Sequence, residues 1–204
     1  SEMNINYCEQ RSQEWYDLKK GKIGGTRFGQ VISGRKNRLI YDLLSETLSE
    51  AIYPDDYISE EMQFGIDNED DALELYSQRT GIKVIRVGAI LSDFSGIHLA
   101  SPDGLSEDHK IVQEVKCTED GGIHIQRFFE GTETSYIPQI ANYFAVSDEV
   151  ERVDWISYCP SRPERPIIIR QFYRESFVDM IKSGRSKIKQ IESELNGLKD
   201  IFLF

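Results

Sequence analysis

Ser101-Pro102-Asp103-Gly104, followed after ten residues beyond Asp103 by Glu114-Val115-Lys116, is the stretch on which the reading of this chain turns. Ile111 to Lys116 is a short apolar run between polar turns, and a strand returns its side chains to one face at every second residue. Glu114 and Lys116 therefore share a face. Pro102 fixes one backbone torsion and Gly104 tolerates positive φ, so this segment forms a turn or strand end from which Asp103 can face the pair. Two carboxylates and one ammonium then converge. Glu-x-Lys alone is also an ordinary ion pair on a solvated strand edge, with Asp103 a turn residue, so the flanks carry the decision.

Upstream, Glu69, Ala72, Leu73 and Tyr76 recur at helical spacing along one face. A carboxylate on an apolar stripe costs free energy unless it is paired or metal-bound, so Glu69 is either a third site carboxylate or a surface residue at the helix edge. Downstream, Pro138 opens a helix that runs to Val146, with Gln139 and Tyr143 one turn apart. An amide and a phenol there suit a phosphate or a water; plain helix packing is the alternative. Mg2+ takes hard oxygen ligands, typically one or two carboxylates, and leaves its other positions to water and substrate phosphate. A lysine beside such a cluster can orient or deprotonate an attacking water.

Pro102-Asp103, Glu114-Val115-Lys116, the Gly65-to-Ala72 helix with Glu69, and Gln139-x-x-x-Tyr143 together resemble the PD-(D/E)xK nuclease superfamily. Within it the chain is similar to the phage lambda exonuclease and YqaJ-like viral recombinase family. Trp15 to Thr26 matches that family's Trp-x3-Arg/Lys-x-Gly-x-Ile-x-x-Ser/Thr element, through Trp15, Lys19, Gly21, Ile23 and Thr26. The resemblance spans residues 11 to about 146.

That resemblance implies a restriction-endonuclease-like α/β core. It implies Mg2+, replaceable by Mn2+, with two ions per site. Asp103 and Glu114 would bind metal, joined by the Val115 carbonyl; Glu69 would act on the second ion through water. Lys116 would activate the nucleophilic water, and Gln139 would position water or substrate. Lys19, Thr26 and Ser101 fall where the family gathers a pocket for a 5′-phosphate, and Arg35, Lys36 and Tyr143 are further candidates for DNA contact. Lys19 stands where lambda exonuclease itself has an arginine, which keeps the charge and removes bidentate recognition. The basic residue that follows the Lys-Cys element there has no clear counterpart in Lys116 to Gly122, so Arg127 is a possible substitute. The implied activity is a 5′→3′ exonuclease on linear duplex DNA that releases mononucleotides and leaves a 3′ overhang for a phage single-strand annealing protein. A ring-shaped homotrimer around the DNA is implied with it. The alternatives are an endonuclease of the same superfamily, restriction or junction-resolving, and a DNA-end-binding module with a dead site.

Composition bounds these options. The 204 residues, 39% of them apolar, fit one nuclease domain, 1 to 204, with a sizeable core. No membrane span or signal peptide is visible, so the chain reads as soluble and cytoplasmic; the resemblance implies a bacterial host cell and a phage or prophage gene. Cys8, Cys117 and Cys159 have no paired spacing and read as reduced packing thiols. The net charge of −11 is unfavourable for binding DNA. Its distribution is not uniform. Residues 11 to 38 hold Arg11, Lys19, Lys20, Lys22, Arg27, Arg35, Lys36 and Arg38 against Glu14 and Asp17, whereas residues 39 to 78 contain no lysine or arginine and many acids. A basic face and an acidic back suit DNA admitted to an interior, although charge runs are usually solvated loops.

The Gly21-to-Thr26 segment lacks the Gly-Lys-Ser/Thr ending of a nucleotide-hydrolase loop. Thr26 can instead cap a helix whose N-terminus receives a terminal phosphate. His98, His109 and His124 lack metal-ligand spacing. Periodicity predicts helices near 12–20, 26–33, 38–52, 60–79, 134–146 and 174–196, and strands near 83–91, 97–100, 111–117, 153–159 and 166–172, giving a central mixed sheet flanked by helices. Ile201 to Phe204 is an apolar tail that needs cover, from this domain or a neighbouring subunit.

Overall fold

A computed structural model of the chain describes residues 2 to 48 and 58 to 204. Its centre is a five-stranded sheet in the order β2 (Val84–Ile85), β5 (Gly104–Ser106), β6 (Ile111–Cys117), β7 (Arg152–Tyr158) and β8 (Ile167–Tyr173). β6 and β7 run parallel and the other pairs antiparallel, so the sheet is mixed. A second sheet of three short strands joins β1 (Asn4–Asn6), β3 (Ala89–Leu91) and β4 (Leu99–Ala100). Among the described residues seven α-helices surround them: α1 (Gln13–Lys19), α2 (Gly25–Ile32), α3 (Asn37–Leu48), α4 (Glu60–Thr80), α5 (Gly121–Glu130), α6 (Ile137–Val146) and α7 (Val178–Leu203). This is the mixed α/β architecture that the periodicity predicts.

Period-two alternation places the two faces of the sheet. Val112 of β6 and Val153 and Trp155 of β7 face the main core with Ile140, Phe144, Phe28 and Ile188 from α6, α2 and α7. Val115 and Ile156, an odd number of residues from Val112 and Trp155, face the opposite side and pack with Ala72, Leu73 and Tyr76 of α4. Glu114 lies opposite Trp155 in the β6/β7 register, on the α6 side. α4 begins at Ser59, which accepts from the Met62 N–H at 3.1 Å, and ends at Gly81 with φ +73°. Ser59 satisfies an N–H that the first turn leaves open, and glycine adopts the left-handed C-terminal conformation without steric cost.

Several boundaries differ from the sequence expectation. The 83–91 strand is two strands in different sheets, divided at Gly88. A side chain there would stand 2.5 Å from Cys8 Sγ, and only glycine admits that approach. β1, β5 and α5 have no predicted counterpart; three-residue strands give too few positions for a period, and Gly121-Gly122 opens α5 with poor helix formers. Asp120 compensates by accepting from the N–H groups of Gly122 and Ile123 at 2.8 and 3.1 Å. α7 continues to Leu203, so Ile201 to Leu203 are helical, and their side chains and Phe204 are exposed. Residues 49–52 of the expected 38–52 helix, and the acids Glu50, Asp55 and Asp56, lie outside the described residues.

Candidate active site

The β5/β6 hairpin pairs Gly104 with Gln113, so Asp103, just before β5, comes opposite Glu114. Asp103 Oδ2 accepts the Val115 N–H at 2.7 Å, which ties the carboxylate to the edge of β6. Glu114 is buried and held from both sides. Lys116 Nζ donates to its Oε1 at 3.0 Å, and the Tyr143 hydroxyl donates to its Oε2 in a short contact. Lys116 also donates to Gln139 Oε1 at 3.3 Å. Glu69 is buried on the inner face of α4 and accepts from Arg86 at 2.6 Å; Arg86 also pairs with Asp70 at 2.9 Å. Residues from one turn, one strand and two helices thus meet at one end of the hairpin.

Electrostatics separate this group from a set of ordinary ion pairs. Burial, and then the charges of Glu114 and Glu69, hold the Asp103 carboxyl well above the usual carboxylate range. Burial likewise raises Glu69, opposed by Arg86 and Arg11 and reinforced by Glu114. Tyr143 is raised well above a free phenol by burial and by the Glu114 and Asp103 charges. For Lys116, burial pulls the ammonium down, but Glu114 and Asp103 outweigh it and the group is raised. Three carboxylates close enough to penalise one another's ionisation form a hard-oxygen donor set that a divalent cation relieves. Among the described residues no three His, Cys, Asp or Glu side chains enclose a metal by themselves. Mg2+ does not require that, since one or two carboxylates with waters and a phosphate complete its shell. The residues present therefore fit the ion.

A cleft of about 660 Å³ opens beside this group, lined by Lys19, Thr26, Arg27, Ser101, Asp103 and Gln139 among others. Gly25 lets α2 close against it: a side chain there would stand 3.0 Å from Gln139 Cγ. Trp15 organises the opposite wall. Its indole N–H is shared between Ser101 Oγ and the Gly88 carbonyl, each at 3.1 Å, and the Lys19 ammonium lies 3.7 Å over its ring. Burial, and then the nearby Arg27, pull the Lys19 ammonium down to about 8.

The structure brings Lys19, Thr26, Ser101, Asp103, Gln139 and Tyr143 to one cleft, with Glu114, Val115, Lys116 and Glu69 beside it. It redistributes several roles. Tyr143 is buried behind Glu114, and its hydroxyl donates to that carboxylate. Thr26 lies inside the first turn of α2, whose cap is Gly24, so its expected capping role does not hold. Arg35 bonds to Ser33, and Lys36 pairs with Glu194 of α7 at 3.4 Å; neither lines the cleft. Arg127 is buried against Glu133, Ser157 and Trp155 and is no substitute in the pocket. His98 is a structural histidine, bonded to Asn142 at 2.6 Å and stacked on Phe28. Arg11 and Arg27 at the cleft and Arg86 on Glu69 carry no local signal in the sequence, because their places depend on which elements pack together.

A model of the YqaJ-like viral recombinase domain matches residues 14–149, from Glu14 beside the Lys19 wall through the carboxylates to the end of α6. The chain belongs to this family. An alkaline exonuclease from Laribacter hongkongensis, LHK-Exo, has a similar structure at 25% identity, with a TM-score of 0.78 over 94% of this chain and 98% of that one. The same exonuclease in complex with dAMP aligns at 24% identity and TM-score 0.76, over the same shares. No curated protein matches the chain. The PD-(D/E)xK fold expected from the motif is the fold of this YqaJ-like chain.

Proposed function

We propose that this YqaJ-like protein is a nuclease of the lambda exonuclease type: a Mg2+-dependent 5′→3′ exonuclease that degrades one strand of linear duplex DNA to mononucleotides and leaves a 3′ overhang. The observation that carries this is the juxtaposition, at one end of β6, of Asp103, Glu114 and Glu69 with Lys116 and Gln139, beside a cleft lined by Lys19, Thr26 and Ser101. Family membership and the likeness to an alkaline exonuclease support the same reading.

Asp103, Glu114 and the Val115 carbonyl would hold a Mg2+ ion, for which Mn2+ can substitute, and Glu69 would act on a second ion through water. The metal supplies Lewis-acid stabilisation of charge on the phosphate oxygens. The protein's own groups do the positioning. The Lys116 ammonium, already donating to Gln139 and Glu114, orients the attacking water, and Tyr143 fixes the second oxygen of Glu114. At the far wall, Lys19, Ser101 and the first-turn N–H groups of α2 receive the terminal phosphate and so set polarity.

A homotrimeric ring and a phage-type annealing protein are the proposed partners, with the bacterial cytoplasm as the proposed location. Exposed Phe129 and Ile201 to Phe204 offer apolar surface for subunit contact, and no helix among the described residues is long and apolar enough to cross a membrane. The decisive digest compares linear and covalently closed duplex, with Mg2+ and with a chelator. Degradation of the linear form alone, dependent on metal, is the expected outcome; cutting of the closed circle would sink the exonuclease reading in favour of an endonuclease.

A further inference from the structure

Arg27 sits at the phosphate side of the cleft, beside Thr26 on α2 and near enough to Lys19 for their charges to interact. Two like charges held together in a concave, partly desolvated site raise the local potential and favour an anion between them. In this structure Arg27 meets the protein's own anion. Its two terminal nitrogens donate to the two oxygens of Glu46 on α3, one of them at 2.9 Å. This is the fork geometry that a guanidinium also presents to phosphate. The Gly21 N–H donates to the same Glu46 oxygen at 3.1 Å, so guanidinium and backbone N–H grip the carboxylate much as they would a phosphate oxygen. The Lys22 carbonyl takes another Arg27 N–H at 3.0 Å and fixes the plane. Among the described residues these bonds engage three of the guanidinium's five N–H donors. Side-chain exposures of 29% and 27% leave the pair within reach of a ligand.

We infer that Arg27 is the bidentate cation of the 5′-phosphate pocket, and that Glu46 holds it in position as an internal stand-in for that phosphate. The inference rests on the assignment of the cleft as the 5′-phosphate site under Proposed function. Lys19 brings a point charge without a planar fork, and Arg27 supplies the fork from the adjoining helix. A terminal phosphate carries more negative charge than a carboxylate at neutral pH and displaces Glu46 from the guanidinium. Glu46 keeps the Gly21 N–H as its partner.

The test is the ratio of kcat/KM for 5′-phosphoryl over 5′-hydroxyl linear duplex, measured for wild type, Arg27→Lys, Arg27→Gln and Glu46→Gln. Taking the ratio within one preparation cancels any general loss of folded protein. Arg27→Gln is expected to shrink the phosphoryl preference about tenfold, chiefly through KM, and Arg27→Lys by less. Glu46→Gln is expected to widen it, because the competing charge is gone. Inorganic phosphate is expected to inhibit wild type more strongly than Arg27→Gln. A wild-type preference that survives Arg27→Gln intact overturns the role of Arg27 while the 5′-phosphate assignment stands. A narrower preference in Glu46→Gln overturns the stand-in. Equal wild-type rates on the two ends overturn the 5′-phosphate assignment itself, and this inference with it.

Discussion

Two acidic groups are built around the adjacent strands β6 and β7, one centred on Glu114 and the other on Asp154, and they differ in how their charges are matched. Asp154 of β7 is fully buried on the α4 face, where the Tyr76 hydroxyl donates to it at 2.6 Å and Arg152 donates twice, at 2.9 and 3.1 Å. Gln113 bonds in turn to the Tyr76 hydroxyl at 3.2 Å. Each charge there has a matched partner. Glu114 and Glu69 are paired with Lys116 and Arg86, yet both also lie close to Asp103, and burial together with their charges holds Asp103 well above its ordinary range. A buried acid with its charge matched stabilises the fold it sits in. Acids gathered against their own repulsion are kept for a ligand.

The sharpest break between the two groups comes from removing one acid from each. Glu114→Gln is expected to lower exonuclease turnover by at least about 10³-fold with little change in thermal midpoint. Turnover above a tenth of wild type would move the chemistry elsewhere. Asp154→Asn should do the reverse, lowering unfolding free energy by about 3 kcal/mol in denaturant titrations while the folded fraction keeps its specific activity, because it leaves Arg152 and Tyr76 without their buried partner. A variant as stable as wild type would remove the distinction.

The pH dependence should separate them next. A carboxyl raised in the folded state contributes stability that is present below its unfolded pKa and is lost as pH rises through the folded value. With a chelator present, the Asp103 contribution therefore falls as pH rises from the acid range, and Asp103→Asn flattens that part of the curve. Mg2+ should restore wild type by about 1–3 kcal/mol at saturation and leave Asp103→Asn unmoved, as read by thermal melts against metal concentration.

Smaller effects come from the supports. Tyr143→Phe removes the hydroxyl behind Glu114 and is expected to raise the Mg2+ concentration for half-maximal activity about tenfold; an unchanged Mg2+ profile would make the phenol mere packing. At the far wall, Lys19 loses its proton as pH rises through about 8. The preference for 5′-phosphoryl ends, taken as a kcat/KM ratio, should fall several-fold between roughly pH 7 and 9, and Lys19→Arg should hold it.

Glu114 and Lys116 were legible as one face of a strand because a period of two is a local property, and Glu69 was legible because Ala72, Leu73 and Tyr76 mark the same stripe of a helix. Asp103 was legible through its turn chemistry. Gln139 followed from Pro138, which opens α6. Tyr143 shows the limit of such reading: its helix face is set locally, but its hydrogen bond to Glu114 depends on how α6 packs against β6. Arg127 and Lys36 show it more strongly. Each carries a suitable charge at a plausible spacing, yet Arg127 is buried against Glu133, and Lys36 lies off the cleft in a half-exposed pair with Glu194.

The sequence by itself determined the periodic elements, the acid-acid-lysine motif and the Trp15-to-Thr26 motif, because these are set by neighbours within one turn or one strand. Only the tertiary structure decided which cations complete the site. Arg86 reaches Glu69 from beyond α4, Arg27 meets Glu46 across two helices, and Trp15, with Lys19 over its ring, reaches Ser101 across 86 positions of chain. Long side chains have many rotamers and long reach, so their partners are selected by how distant elements pack, and no local pattern records that choice.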